Sequence, residues 1–458
     1  PENVPYSYTE HPEILQRAWK NAVNDYAPDQ EVLWTLGLRG LSDTSYSTFD
    51  PNARGGDKEL GALVGKALAD QMSIVRATHP NARFIMNLWQ EGARLNKQGF
   101  LKIPPEVTTV WADTGYGYMQ DNGEVTRGQG AYFHVAMYNA MANQLTEMVP
   151  MDRVVSELGR YIRAGATEYL LMNTSDIRPV AMMTRAVMDV GWQGVASGAT
   201  ASDTDYYRAW SAEEFGEKAA PQIAEIYKDY FAAPALRPGT QPPLVYGDNY
   251  YHTEARRLLL SYMVGSPIYS LPGQNPKWVK PSVITNIRGE TAEQWIPDAA
   301  KGEIERCGEA QPRWDALWEK AVAAEAFVPP DRKPYYNAGV LAMIAIHRES
   351  NRMLSLVAQA VLAAQNGQTS QARNAARQAL ATFDQIDKAE AAAEFGQWKN
   401  WYRGDWLTGI YRTRETVQSF LDYLDDPLRH MAPPIYWTGW EAYYHIMHYE
   451  NDRSADVK

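Results

Sequence analysis

The chain has 458 residues, 55 of them acidic and 44 basic, for a formal net charge of -11. That balance argues against a nucleic-acid or anionic-membrane partner, which would need clustered Lys and Arg, and no apolar run approaches the ~18 residues of a membrane span. Cys307 is the single cysteine, which excludes a disulfide framework and a cysteine-rich metal site, while a 45% hydrophobic content suffices for sizeable cores.

The first 200 residues alternate strand-like and helix-like patterns. Glu31 to Gly40 is a short apolar run that closes on glycine and charge, and helical spacing follows from Lys58 to Thr78. Further apolar runs are Arg83 to Trp89, Val107 to Ala112, Ala131 to Val135 and Glu168 to Met172, with a weaker one at Gly194 to Ser197. Arg153 to Ala166 reads as an amphipathic helix between the fourth run and the fifth.

Continuous apolar strands separated by helices indicate an α/β fold with a buried parallel sheet. Such folds carry function at the C-terminal strand ends. Arg39, Asp43, Glu91, Asp113, His134 and Asp176 all fall at or just past those ends. Five or six strands precede residue 200, so a complete (β/α)8 barrel of TIM type would need strands before Pro1. A doubly wound sheet is the alternative, but no Gly-rich phosphate loop follows any strand.

Beyond Trp210 the texture changes. Pro234 to Pro243 reads as a linker, and Ser266 to Ile287 is rich in loop residues. Pro312 to Phe327, Asn337 to Asn366, Ser370 to Phe395 and Asp405 to Tyr423 then read as helices. The expected organisation is a barrel portion at 1–235, a loop-rich connection at 236–310 and an all-α helical bundle at 311–458.

Asp43, Glu91 and Asp113 form the sharpest chemical feature. Glycoside hydrolysis needs one carboxylic acid to protonate the leaving oxygen and one carboxylate to activate water or attack. Glu91 follows an apolar, aromatic run, a desolvating setting that suits a proton donor. Asp113 precedes Gly115-Tyr-Gly117, an exposed turn suited to an ionised base. Plain helix capping explains the same acids equally well. Trp89, Trp111, Tyr116, Tyr118, Tyr138, Tyr269 and Trp278 lie near the predicted loops, where aromatic faces could stack on sugar rings. Glu441, His445 and His448 share a helical face with metal-ligand spacing, yet their aromatic surroundings favour packing, and no metal or cofactor is expected. Cys307 has no histidine nearby in sequence, and no Gly-x-Ser-x-Gly occurs.

Leu36-Gly-Leu-Arg-Gly-Leu-Ser-Asp43, Trp89-Gln-Glu91, Ile103-Pro-Pro-Glu-Val-Thr-Thr-Val-Trp-Ala-Asp113, Ala131-Tyr-Phe-His134 and Asn173-Thr-Ser-Asp-Ile-Arg-Pro179 resemble, in order, five motifs of glycoside hydrolase family 115. The resemblance implies a xylan α-1,2-glucuronidase that releases glucuronic or 4-O-methylglucuronic acid by inversion. It implies Glu91 as general acid, Asp113 and Asp43 as carboxylates around the catalytic water, and Arg39 and His134 as sugar contacts. Trp89, Tyr116, Tyr138, Asp176 and Arg178 complete the substrate-binding set. It also implies a glucuronoxylan-like substrate, a secreted or periplasmic location, an N-terminal region ahead of Pro1, and a homodimer for which no residue pattern marks an interface. The chain departs from the family where Lys gives way to Gln90, where arginines are missing after Gly117, and where Tyr138 to Asn143 carries no arginine. A uronate carboxylate is best held by Arg or Lys, so these losses bring a neutral or other sugar into consideration, as they do a non-catalytic carbohydrate-binding protein.

Overall fold

The computed structural model describes residues 7–40, 45–48, 50–136, 143–195, 202–240, 242–264, 292–405 and 408–426. The chain divides into two compact units that interleave along the sequence. The first comprises Pro1–His134, Arg153–Asn173 and Val187–Gly194; the second comprises Val135–Asp152, Thr174–Ala186 and Val195–Lys458. These divisions do not coincide with the expected boundaries at 235 and 310.

In chain order the elements are α1 (Pro12–Asn24), β1 (Leu33–Thr35), α2 (Asp57–Arg76), β2 (Arg83–Leu88), α3 (Glu91–Lys97), β3 (Val107–Ala112), β4 (Gly130–His134), α4 (Met151–Ala164), β5 (Tyr169–Asn173) and α5 (Ala181–Gln193). Among the described residues these strands form one sheet, every pairing is parallel, and the spatial order follows the chain from β1 to β5. A doubly wound sheet would reverse direction at a switch point, and this sheet has none.

The apolar runs fold as strands because both faces are covered. Phe84, Ile85 and Leu88 of β2, Val110 and Trp111 of β3 and Phe133 of β4 are all buried. Each large apolar side chain removed from water this way contributes about 1.5–3 kcal/mol. Helix α2 meets the core along a stripe of Leu60, Val64, Ala67, Leu68, Met72 and Val75. Gly130 opens β4 opposite Tyr169 of β5, where a Cβ would stand 2.6 Å from the Tyr169 carbonyl oxygen. The weak run expected at Gly194 to Ser197 forms no strand at 194–195, and its remainder lies outside the described residues.

The second unit is helical. It continues with α6 (Asp203–Phe215), α7 (Ala220–Ala232), α8 (Asp248–Val264), α9 (Ala292–Ala324), α10 (Lys333–Tyr336), α11 (Ala342–Gln365), α12 (Thr369–Ala393) and α13 (Ile410–Asp425). Helix α11 packs against α8, α9 and α12. Asp248, fully buried at the start of α8, accepts the backbone N–H of Gln144 (3.0 Å), that of Leu145 (2.8 Å) and the Thr146 hydroxyl (2.7 Å). Among the described residues no helix is long and apolar enough to cross a membrane.

Candidate functional site

The end of β1 is set by a side chain from α2. Gln71 donates through Nε2 to the Gly37 carbonyl (2.8 Å) and accepts the Gly37 N–H at Oε1 (3.0 Å). This clamp fixes the chain two residues before Arg39. At the end of β2, Trp89 is followed by Gln90 with φ +46° and ψ -109°, a region that non-glycine residues avoid. The turn at Gln90 delivers Glu91 as the first residue of α3.

Arg39 and Glu91 meet there. The guanidinium donates from Nε to Oε1 at 3.1 Å and from Nη2 to Oε2 at 3.2 Å, and Nη2 also reaches Gln90 Oε1 at 3.3 Å. Glu91 is 8% exposed. The apolar setting expected for this carboxyl is therefore corrected: it is buried, but against a cation in a two-pronged, charge-assisted contact.

Asp113 also departs from expectation. It ends β3 wholly buried, not on an exposed turn. Its Oδ1 accepts the Gly115 N–H (3.0 Å), and its Oδ2 accepts the N–H groups of Gly117 (2.6 Å) and His134 (3.1 Å). His134 Nδ1 stands 2.5 Å from Oδ1. A carboxylate that already accepts three backbone N–H groups keeps the proton of this fourth bond on the imidazole, so His134 donates through Nδ1. The glycines of Gly115-Tyr-Gly117 have φ +89° and +78°, which wraps the turn around the carboxylate.

His134, at the end of β4, is 2% exposed and sits among rings. Trp89 stacks on it at 4.9 Å between centroids, and Tyr132 lies 4.5 Å away. Asn173, at the end of β5, donates to the Tyr132 hydroxyl at 3.0 Å. The strand ends thus carry two connected groups: Arg39 with Gln90 and Glu91, and Asp113 with His134, Trp89 and Tyr132. Gln90 enters the sequence reading only as a departure from the family, and Tyr132 not as a site residue. The alternation Tyr132, His134 in β4 places both on one face and could have flagged the tyrosine.

The other candidates distribute as follows. Trp111 is buried, its Nε1 on Gln129 Oε1 at 3.0 Å, and serves the core. The Tyr116 carbonyl accepts Arg153 Nη1 at 2.8 Å, while the same guanidinium lies 4.1 Å from the Tyr118 ring. Asp176 and Arg178 belong to the second unit. Arg178 there donates to the Ala393 carbonyl at 2.6 Å. Asp43, Tyr138, Tyr269, Trp278 and the trio Glu441, His445 and His448 lie outside the described residues. Cys307 is buried, and that burial pushes its thiol well above the usual range, away from the reactive thiolate. Among the described residues no cluster of three or more His, Cys, Asp or Glu side chains could hold a metal ion.

A parallel sheet with carboxylates, a histidine and aromatic rings at its C-terminal edge defines an α/β protein with its polar machinery on the strand ends. The model of glycosyl hydrolase family 115 matches residues 2–238, and the chain belongs to that family. A search of curated proteins finds no match. Among solved structures, the chain is similar to a "novel family GH115 4-O-Methyl-alpha-glucuronidase" with "specificity for decorated arabinogalactans", with a TM-score of 0.54 at 17% identity, over 89% of this chain and 48% of the other. It is also similar to a "GH138 enzyme targeting pectin rhamnogalacturonan II", with a TM-score of 0.50 at 8% identity, over 90% of this chain and 52% of the other. The chain therefore spans about half the length of these solved structures.

Proposed function

We propose that this chain acts as an exo-acting, inverting glycoside hydrolase that releases glucuronic or 4-O-methylglucuronic acid from a glucuronoxylan-like glycan. The observation that carries the reading is the Arg39–Glu91 contact at adjacent strand ends of a family 115 chain. On this reading the five-stranded sheet is a portion of a (β/α)8 barrel, which the sequential strand order supports.

In the reaction, Glu91 gives its proton to the glycosidic oxygen as the bond to the anomeric carbon breaks. A water attacks that carbon from the opposite face and passes its proton to a second carboxylate. Asp43 is assigned as that base. Asp113, whose oxygens are occupied by hydrogen bonds, is assigned a positioning role through His134. Arg39 orients the Glu91 carboxyl and, with His134, Trp89 and Tyr116, contacts sugar. A secreted or periplasmic location and a homodimer complete the proposal.

The test is incubation of the 458-residue chain with glucuronoxylan and its acidic oligosaccharides, with released uronic acid quantified by anion-exchange chromatography. Release that disappears in Glu91→Gln supports the assignment, and release that persists in it overturns the role of Glu91. A second reading draws on the same geometry. Glu91 is already gripped by Arg39, and Asp113 is saturated, which favours a carbohydrate-binding protein on an enzyme scaffold or a glycosidase for another sugar. Oligosaccharide binding without turnover would select the binding protein.

A further inference from the structure

Within the second unit, a cavity of about 270 Å³ is walled by Glu147, Met182, Tyr335, Met343, Trp398 and Trp401, among others. That volume lies near the lower end of the range for small-molecule sites and leaves room for one ring with a short substituent. Arg178 also lines it, but the charge of this guanidinium is already matched. Its Nη2 donates to the Ala393 carbonyl at 2.6 Å, Tyr402 hydrogen-bonds it and Glu394 attracts it. Its central carbon lies 4.8 Å from the ring centroid of Trp401 and 5.3 Å from that of Trp398. Glu394 in turn accepts the N–H groups of Asn400 (2.8 Å) and Tyr402 (3.1 Å), which pins the indole-bearing segment against the cation. An incoming anion would find the guanidinium engaged, and an incoming cation would be repelled by it. The cavity therefore suits an uncharged ligand.

Glu147 supplies a different chemistry. It is 2% exposed and accepts the N–H groups of Met182 (2.9 Å) and Met183 (3.2 Å) at the start of α5. Burial pushes its carboxyl up to about 8. The titratable groups facing it are the phenols of Tyr207 from α6, Tyr227 and Tyr230 from α7, and Tyr335 from α10. Burial raises all four, so they are uncharged near neutral pH. Near pH 7 Glu147 thus holds a proton. Among the described residues, the hydrogen bonds to its carboxyl all arrive from backbone donors, which leaves that O–H to give. Between α10 and α11 the chain makes a π-helical turn, Asn337–Leu341, and Ala338 and Gly339 of this turn line the cavity. Such turns recur at functional sites. A sugar would bring several hydroxyls to a wall of thioether and indole faces that offers few partners for them, and each unpaired hydroxyl would oppose binding.

We infer that this cavity binds a neutral, largely apolar single-ring compound with one carbonyl-type oxygen, the ring against the indole and thioether walls and the oxygen accepting from Glu147. The inference stands on the second unit alone and does not rest on the glycosidase reading.

The experiment titrates the whole chain by calorimetry with acetophenone, toluene, benzoate and sodium glucuronate at pH 7. Acetophenone is expected to bind saturably. Toluene, which lacks the acceptor, and benzoate and glucuronate, which carry charge, should each bind at least about tenfold more weakly. Between pH 7 and pH 9 the parent's affinity for acetophenone should fall about fivefold or more as Glu147 gives up its proton. Glu147→Gln keeps an N–H donor and should show no such decline. Ala338→Phe fills the cavity and should abolish binding, with a cooperative thermal transition showing that the variant folds. Failure of acetophenone to bind, equal binding of toluene, or tighter binding of benzoate or glucuronate would overturn the inference. So would a parent affinity that ignores pH, or full affinity in a folded Ala338→Phe. Release of uronic acid, or its absence, bears only on the proposed function.

Discussion

Arg39 and Glu91, 52 positions apart, are joined by two parallel N–H···O contacts that tie the end of β1 to the end of β2. The fork restrains the carboxyl in rotation as well as position, because both oxygens are held. Arg39→Lys keeps the charge but offers a point donor. Uronic acid release is expected to fall about a hundredfold, the scale of a misplacement near 1 Å, with thermal stability little changed. Release at the parent rate from this variant would show that the fork does not position the acid.

Asp113 is predicted to matter for stability as much as for turnover. Asn in its place lacks one acceptor oxygen and leaves a buried donor among Gly115, Gly117 and His134 unmatched. The cost should be about 1–3 kcal/mol in urea unfolding. An exposed catalytic base would leave the unfolding midpoint unmoved on the same exchange.

Gln90 holds φ +46° and ψ -109° at the entry to α3. Gly adopts this conformation without a Cβ penalty, and strain of this kind is worth about 1–3 kcal/mol. Gln90→Gly should therefore raise the midpoint of urea unfolding, despite the loss of the outer contact to Arg39. Gln90→Ala keeps the strain and should not raise it.

Glu147 predicts a pH dependence of folding. Its carboxyl is raised from 4.5 to about 8 by burial, so the folded chain holds a proton that the unfolded chain has released across that window. This contribution to stability is fully present below about pH 4.5 and is lost as pH rises through about 8. The loss is on the order of a few kcal/mol. Urea midpoints measured from pH 5 to pH 8.5 should fall in the parent and fall less in Glu147→Gln. Parallel curves would assign the decline to other groups.

Much of the sheet is legible in the sequence because each buried strand is a continuous apolar run. Arg83–Leu88 and Val107–Ala112 stand in the structure almost as their hydrophobicity marks them. The helical unit is harder to read. Pro312 reads as a helix start, yet α9 continues through Pro297 and Pro312. Ile296, Ala300, Cys307, Trp314, Leu317 and Ala321 form a buried stripe on both sides of Pro312. Its burial offsets the hydrogen bond that proline removes. Helix α6 escaped notice because Tyr206, Tyr207, Trp210, Ser211 and Phe215 bury a mixed set of side chains and leave no clean apolar stripe. At the site, position along a strand revealed which residues gather, but not their pairing. That Arg39 would seize Glu91, or that Asp113 would be enclosed by its own turn, depends on contacts between distant segments and on backbone dihedrals that residue identity does not encode.

The interleaving of the two units governs how the molecule could be taken apart. A fragment ending at residue 194 would contain every strand of the sheet, yet it would carry 135–152 and 174–186 without the helices they belong to. Gln144, Leu145 and Thr146 would lose Asp248, and the Glu147 carbonyl would lose the Tyr230 hydroxyl that donates to it. The complementary fragment would keep Asp248 buried but stripped of its backbone donors. Neither half is a module in the genetic sense, and recombination at a single crossover point would deliver two incomplete proteins.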